Sequence, residues 1–240
     1  MTHKERPTFT LVSTFTNDRL PQGNGSFITQ RGGPAHYMGI ALKRLGAPHQ
    51  LITGQTADVE VIPGPDGERY NIPRLHPILI PDQISGDAVV LSPVMREINP
   101  ESVPPVTGLL ALDLQGFVRR PQDPSGGFDR DVELSGLLGR TDVIKAAEPE
   151  LEALTAGSRD AMRSAIVLVT HGDRGASVFH DGSKVTVTAE PVSAPNTIGA
   201  GDTFLSAFIA ALLQGCSLQE AGDRAARFTE QVLRERINGK

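Results

Sequence analysis

"NTIGAGDTFLSAFIAALLQG" occupies residues 196–215. A glycine-rich stretch runs without a break into an apolar helical pattern, and one carboxylate, Asp202, stands at the join. The first N–H groups of a helix have no internal partners and carry the positive end of its dipole. Glycines at such a start let a ligand approach the backbone closely. Gly199, Ala200 and Gly201 ahead of Asp202 therefore read as an anion hole, aimed at a phosphate or at negative charge that develops during a reaction. Residue type alone leaves Asp202 two roles, an acid that stabilises the helix start or a general base. The spacing is neither a Walker A loop nor a G-x-G-x-x-G turn.

Outward from this stretch, short apolar runs alternate with helical patterns. Residues 8–15, 49–54, 87–93, 108–116, 141–146 and 164–172 read as strands, most of them apolar throughout, as strands covered on both faces are. Residues 175–192 alternate about a "DG" pair and predict a hairpin. "PAHYMGIALKRLG" opens with Pro34 and closes with Gly46, the usual asymmetry of helix ends. "EPELEALTA" (148–156) predicts a short acidic helix, and Ser217 with Glu220 makes a capping box for a last helix of about 20 residues. The alternation argues for an open, largely parallel α/β sheet. Residues 55–86 are proline-rich and read as edge strands or a crossing loop. There is no repeat, low-complexity tract or linker, so residues 1–240 read as a single domain.

Composition excludes several classes. The 240 residues carry a formal net charge of −5, with no run of more than two Lys or Arg, which argues against a nucleic-acid partner. No apolar run approaches the roughly 18 residues of a membrane span. The single cysteine, Cys216, permits no intramolecular disulfide and fits a reducing compartment. The N-terminal stretch has no signal-peptide pattern, so a cytoplasmic location is expected.

"NTIGAGDTF" resembles the D-T-x-G-A-G-D motif of the ribokinase-like (PfkB-type) carbohydrate kinases. The resemblance implies a three-layer α/β/α fold with a largely parallel central sheet, ATP as donor and Mg²⁺ as cofactor. It makes Asp202 the base that takes a proton from the accepting hydroxyl and Gly199, Ala200 and Gly201 the hole for the transferring phosphate. Other segments resemble the same family. Gly32 and Gly33, opening "GGPAHYMGIALKRLG", would meet substrate hydroxyls, with Tyr37 where the family has Asn. Asn17 and Asp18, after the first strand, would hold sugar hydroxyls. "LVTHGDRGASVF" would place Thr170, Gly172 and Gly175 along the nucleotide. "KAAEPE" matches the family's K-x-N-x-x-E at Lys145 and Glu150, with Ala147 in place of Asn; Lys145 would lie near the phosphates and Glu150 would order water around Mg²⁺. Asn196 replaces the first Asp of the motif, near the nucleotide and a monovalent-cation site.

"LDLQGFVRR" resembles the D-x-Q-G-x-x-R strand end of a subgroup that includes myo-inositol kinases, which implicates Gln115 and Arg119 in substrate or phosphate binding. The chain is short for the family around residues 55–86, so the lid over the site is expected to be reduced or absent. The expected ligands are ATP and a small polyhydroxy molecule, a cyclitol ahead of a furanose sugar. A nucleoside kinase and a weakly active ligand-binding descendant remain open, as does the choice between monomer and homodimer.

Overall fold

The computed structural model describes residues 6–22, 25–64, 67–72, 75–120, 127–192 and 197–237. In chain order the elements begin with β1 (Phe9–Ser13), β2 (Thr16–Pro21), β3 (Phe27–Gly32), α1 (Pro34–Leu45) and β4 (His49–Ile52). There follow β5 (Ala57–Gly64), β6 (Gly67–Asn71), β7 (Ile84–Ser92), β8 (Val106–Asp113), α2 (Gln115–Val118) and α3 (Ser135–Leu138). The remainder are β9 (Val143–Ala147), α4 (Glu148–Glu152), α5 (Ala156–Ala161), β10 (Ile166–Thr170), β11 (Ala176–His180), β12 (Ser183–Val187), α6 (Ala200–Leu213) and α7 (Leu218–Ile237).

Eight strands form the main sheet in the order β12-β11-β10-β9-β8-β7-β1-β4. Pairing is parallel from β10 through to β4, while the β11–β12 hairpin adds an antiparallel edge. All five residues of β1 are buried. Its successive side chains enter different cores: Leu11 joins one cluster with Met38 and Leu42 of α1, Leu205 and Phe208 of α6 and Ala225 of α7. Val12 joins the other, with Phe117, Leu137, Leu138 and Leu154 on the opposite face. This period of two, with helices on both faces, is the three-layer α/β/α arrangement. Each fully buried Leu or Phe contributes about 1.5–3 kcal/mol, so the two layers together hold the sheet.

Helix ends follow their local chemistry. Gly46 sits at φ 67°, and its N–H closes the end of α1 on the carbonyls of Leu42 and Lys43. The Glu220 carboxylate accepts from the Ser217 N–H at 2.9 Å, and Ser217 Oγ accepts from the Glu220 N–H at 3.3 Å, as a capping box requires.

Strands β3-β2-β5-β6 form a separate, small four-stranded sheet beside the main one, at the place where a reduced lid is expected, and the stretch 55–86 takes the edge-strand form of its two expected readings. Residues 55–86 supply β5 and β6 to it and then enter the main sheet as the start of β7. The stretch at 8–15 ends as a main-sheet strand at Ser13, and Asn17 and Asp18 lie on lid strand β2 rather than at the end of β1. Val59 and Ile72 pack with Val94 and Met95 in a small cluster that ties the lid to the loop after β7.

Candidate active site

The parallel strands end around two adjoining cavities, of about 390 Å³ and about 90 Å³. The chain passes from β1 to β4 on one side and returns to β7 on the other, and ligands bind where strand order diverges in this way. Asp202, Gly199, Gln115 and lid residue Tyr70 line both cavities.

Asp202 lies in the first turn of α6, half-buried between them. Gly199 precedes the helix at φ 78°, a left-handed conformation that a side chain resists. The Ala200 N–H is already spent on the Thr197 carbonyl at 3.0 Å. Among the described residues, the N–H groups of Gly199, Gly201 and Asp202 have no backbone acceptor.

Behind the turn lies a buried ion pair. Asp113 ends β8 and Lys145 stands opposite it in β9, with Nζ donating to Asp113 Oδ2 at 2.8 Å. A Cβ on Gly201 would fall 2.9 Å from Lys145 Nζ, so the ammonium sits against the hole. Burial works against the Lys145 charge, but Asp113, Glu150 and Asp202 outweigh it and hold the ammonium above the ordinary lysine range. Burial, then the Asp113 carboxylate, pushes the Asp202 carboxyl up to about 7, while Lys145, Arg119 and Arg236 pull it down. Glu150 Oε2 accepts from the Ala147 N–H at 2.8 Å, and burial raises its carboxyl above the usual range.

The larger cavity brings together Lys145, Glu150, Thr170, Gly172 and Gly175, the residues to which the family resemblance gives donor or metal contacts. Its lining also includes the apolar Ala176, Ala189, Val192, Phe204, Ala226 and Leu233, together with Glu190, Thr229 and Glu230. Asn196 lies outside the described residues. Among the described residues no three His, Cys, Asp or Glu side chains converge as a metal cage.

The smaller cavity brings together Asp18, Gly33, Gln115, Arg119 and Asp202. Along β2 the side chains alternate, so Thr16 and Asp18 are buried while Asn17 turns the other way. Thr16 Oγ1 donates to Asp18 Oδ1 at 2.5 Å. Burial raises the Asp18 carboxyl, with the Thr16 bond opposing. Gly32 makes room for Asp18, since a Cβ there would overlap Oδ2 at 1.9 Å. Asn17 is not brought to the site; its amide donates to Asp58 Oδ1 on β5 at 2.9 Å. Arg119 is 8% exposed, so it is no surface residue, and it borders the smaller cavity rather than the donor side. Its Nη1 donates to the Val94 carbonyl at 2.9 Å and its guanidinium lies 5.2 Å from the Tyr70 ring centroid.

Four residues escaped the sequence reading. Asp113 carried a signal, an acid inside an apolar strand paired across the sheet with a lysine inside another. Thr16, Tyr70 and Arg236 carried none, because each reaches the site through tertiary packing.

The pattern described as "pfkB family carbohydrate kinase" matches residues 106–236. An inositol 3-kinase from Oryza sativa subsp. japonica is 30% identical over 157 residues, covering 61% of this chain and 39% of that protein. A fructokinase from Rhizobium leguminosarum bv. trifolii is 30% identical over 121 residues, covering 45% of this chain and 36% of that protein. The matches thus span about two fifths of these relatives' length. Among solved structures, a pyrophosphate-dependent kinase in the ribokinase family, complexed with a pyrophosphate analog and myo-inositol, superposes with a TM-score of 0.74 at 21% identity. That superposition covers 97% of this chain and 100% of that one, and the fold is ribokinase-like. No helix among the described residues is long and apolar enough to cross a membrane.

Proposed function

Because the chain belongs to the PfkB family of carbohydrate kinases, we propose that it transfers the terminal phosphoryl group of ATP to a hydroxyl of a small neutral polyol, a cyclitol such as myo-inositol ahead of a furanose sugar. The observation that carries this is the position of Asp202 on the wall shared by a donor-sized and an acceptor-sized cavity. There its carboxylate takes the proton of the acceptor hydroxyl, whose oxygen attacks the terminal phosphorus as the bond to the bridging oxygen breaks. General-base assistance of this kind is worth ~10²–10⁴-fold. The N–H groups of Gly199, Gly201 and Asp202, with Lys145 behind them, face the charge that builds on the phosphoryl oxygens.

The donor cavity favours a nucleotide. Its apolar lining residues, Ala176, Ala189, Val192, Phe204, Ala226 and Leu233, suit a flat heterocycle and have no use in binding pyrophosphate. Among the described residues, Lys145 is the one Lys or Arg that lines it, and it is already paired with Asp113. Pyrophosphate is the second reading, supported by the donor named for the structural neighbour. Mg²⁺ would rest chiefly on the donor's phosphates, with Glu150 reaching it through water, and would neutralise phosphate charge.

The acceptor cavity favours a neutral ligand. Among the described residues, Asp18 and Asp202 border it against one cation, Arg119, so an acidic acceptor would meet repulsion. Asp18 offers a carboxylate to vicinal hydroxyls, and the Arg119 and Gln115 side chains offer donors. The relatives are named for inositol and fructose, both neutral polyhydroxy molecules, which agrees with this class. A matrix of donors (ATP, GTP, pyrophosphate) against acceptors (myo-inositol, fructose, ribose, adenosine), with Asp202→Asn as control, tests the proposal. Turnover highest with ATP and a cyclitol or sugar is expected; preference for adenosine or for pyrophosphate refutes the acceptor or the donor assignment.

A further inference from the structure

Arg236 stands near the end of α7, far along the chain from the glycine turn, yet its Nη1 donates to the Ile198 carbonyl at 2.6 Å. The same guanidinium lies 4.9 Å from the Tyr37 ring centroid. Tyr37, buried on α1, packs against the α-carbon of Gly199 so closely that a Cβ there would fall 2.1 Å from its Cγ. One residue from the last helix and one from the first thus hold the Ile198–Gly199 peptide from two directions.

That peptide matters because its carbonyl belongs to Ile198 and its N–H to Gly199. Across a trans peptide the two point in opposite directions, and the described chain has no cis bond. Fixing the carbonyl therefore fixes the N–H. A glycine at φ 78° has wide freedom of its own, so the plane of this peptide is poorly determined by the turn sequence alone.

Resting on the kinase reading above, we infer that Arg236 and Tyr37 are positioning residues that aim the Gly199 N–H into the anion hole, Arg236 by pinning the Ile198 carbonyl and Tyr37 by bracing the Gly199 α-carbon. Tyr37 occupies the position where the resembling family has Asn, and here its ring supports the backbone. Neither residue donates to the phosphate itself. A misaligned donor weakens transition-state stabilisation more than ground-state binding, so the effect falls on kcat.

The test uses full-length Arg236→Met, Arg236→Lys and Tyr37→Ala, with the double variant and Asp202→Asn. Two readouts are taken: steady-state kinetics on the best donor–acceptor pair, and hydrogen exchange of the segment 197–203. Arg236→Met is expected to lower kcat about tenfold or more while both KM values stay within about threefold, as a displaced catalytic donor does. Arg236→Lys recovers part of the loss, because an ammonium can still donate to the carbonyl. The double variant loses less than the product of the single effects, since both act on one peptide. Exchange in 197–203 rises about tenfold in Arg236→Met, with the rest of the chain unchanged.

Unchanged exchange at 197–203 overturns the inference even if no substrate pair turns over. So does a kcat within about twofold of the parent, or a loss that Arg236→Lys does not reduce. If Asp202→Asn abolishes turnover while Arg236→Met leaves both readouts untouched, the kinase reading stands and this inference falls. If no pair is turned over but exchange responds as stated, the positioning role stands and the kinase reading falls.

Discussion

Replacing Asp202 by Asn is expected to lower activity and raise stability together. The carboxyl is carried from its ordinary 3.8 to about 7, chiefly by burial and by Asp113. Between those pH values the folded protein holds a proton that the unfolded chain has released. Stability therefore falls as pH rises through this window and stays at the lower level above it. A displacement of that size corresponds to roughly 4 kcal/mol for a group sealed from water. Asp202 faces two open cavities, so about 2 kcal/mol is the working figure once solvent screening is allowed for. Asp202→Asn removes this burden and should raise the melting temperature by about 5 °C at pH 8, with the gain vanishing near pH 4. The same change removes the proton acceptor, so turnover should fall by ~10²-fold or more. In the parent, turnover at pH 6 should be about a tenth of that at pH 8, because only the ionised carboxylate can accept the proton. Thermal unfolding at pH 4, 6 and 8 and a coupled assay of donor consumption measure both effects. An Asn variant that is no more stable at pH 8 refutes the electrostatic account of the site. One that retains more than a tenth of parental turnover removes Asp202 from the mechanism.

Lys145→Met leaves Asp113 buried without its ion partner and should cost about 3–5 kcal/mol in urea unfolding; adding Asp113→Leu should recover much of the stability but none of the turnover. Gly32→Ala drives a methyl into the Asp18 carboxylate and should raise the acceptor KM at least about tenfold while leaving donor KM unchanged, and equal effects on both would contradict the assignment of the two cavities. Glu150→Gln should raise the Mg²⁺ concentration for half-maximal rate severalfold, and an unchanged metal titration would make Glu150 a structural cap of the Ala147 N–H alone.

Much of this protein is written in short windows of its sequence. The start of α6, the Gly46 helix end, the Ser217–Glu220 cap and the apolar strands are each decided by residues within about ten positions, where backbone geometry and local hydrogen bonding act. The glycine turn and Asp202 are legible for the same reason. What the sequence left undecided depends on pairing at a distance. Whether Asn17 or Asp18 faces the smaller cavity rests on the register of β2 against β3 and β5, and a shift of one residue would exchange them. The lid itself needs β5 to lie parallel to β2 across some forty residues of chain. Asp113 and Lys145 meet only because parallel strands set them side by side, and Arg236 reaches Ile198 only because α7 packs along α6. A linear pattern can name a helix start or an apolar face. It cannot say which carboxylate will be denied water or which carbonyl a distant arginine will hold, because those follow from the packing of layers that the chain brings together only on folding.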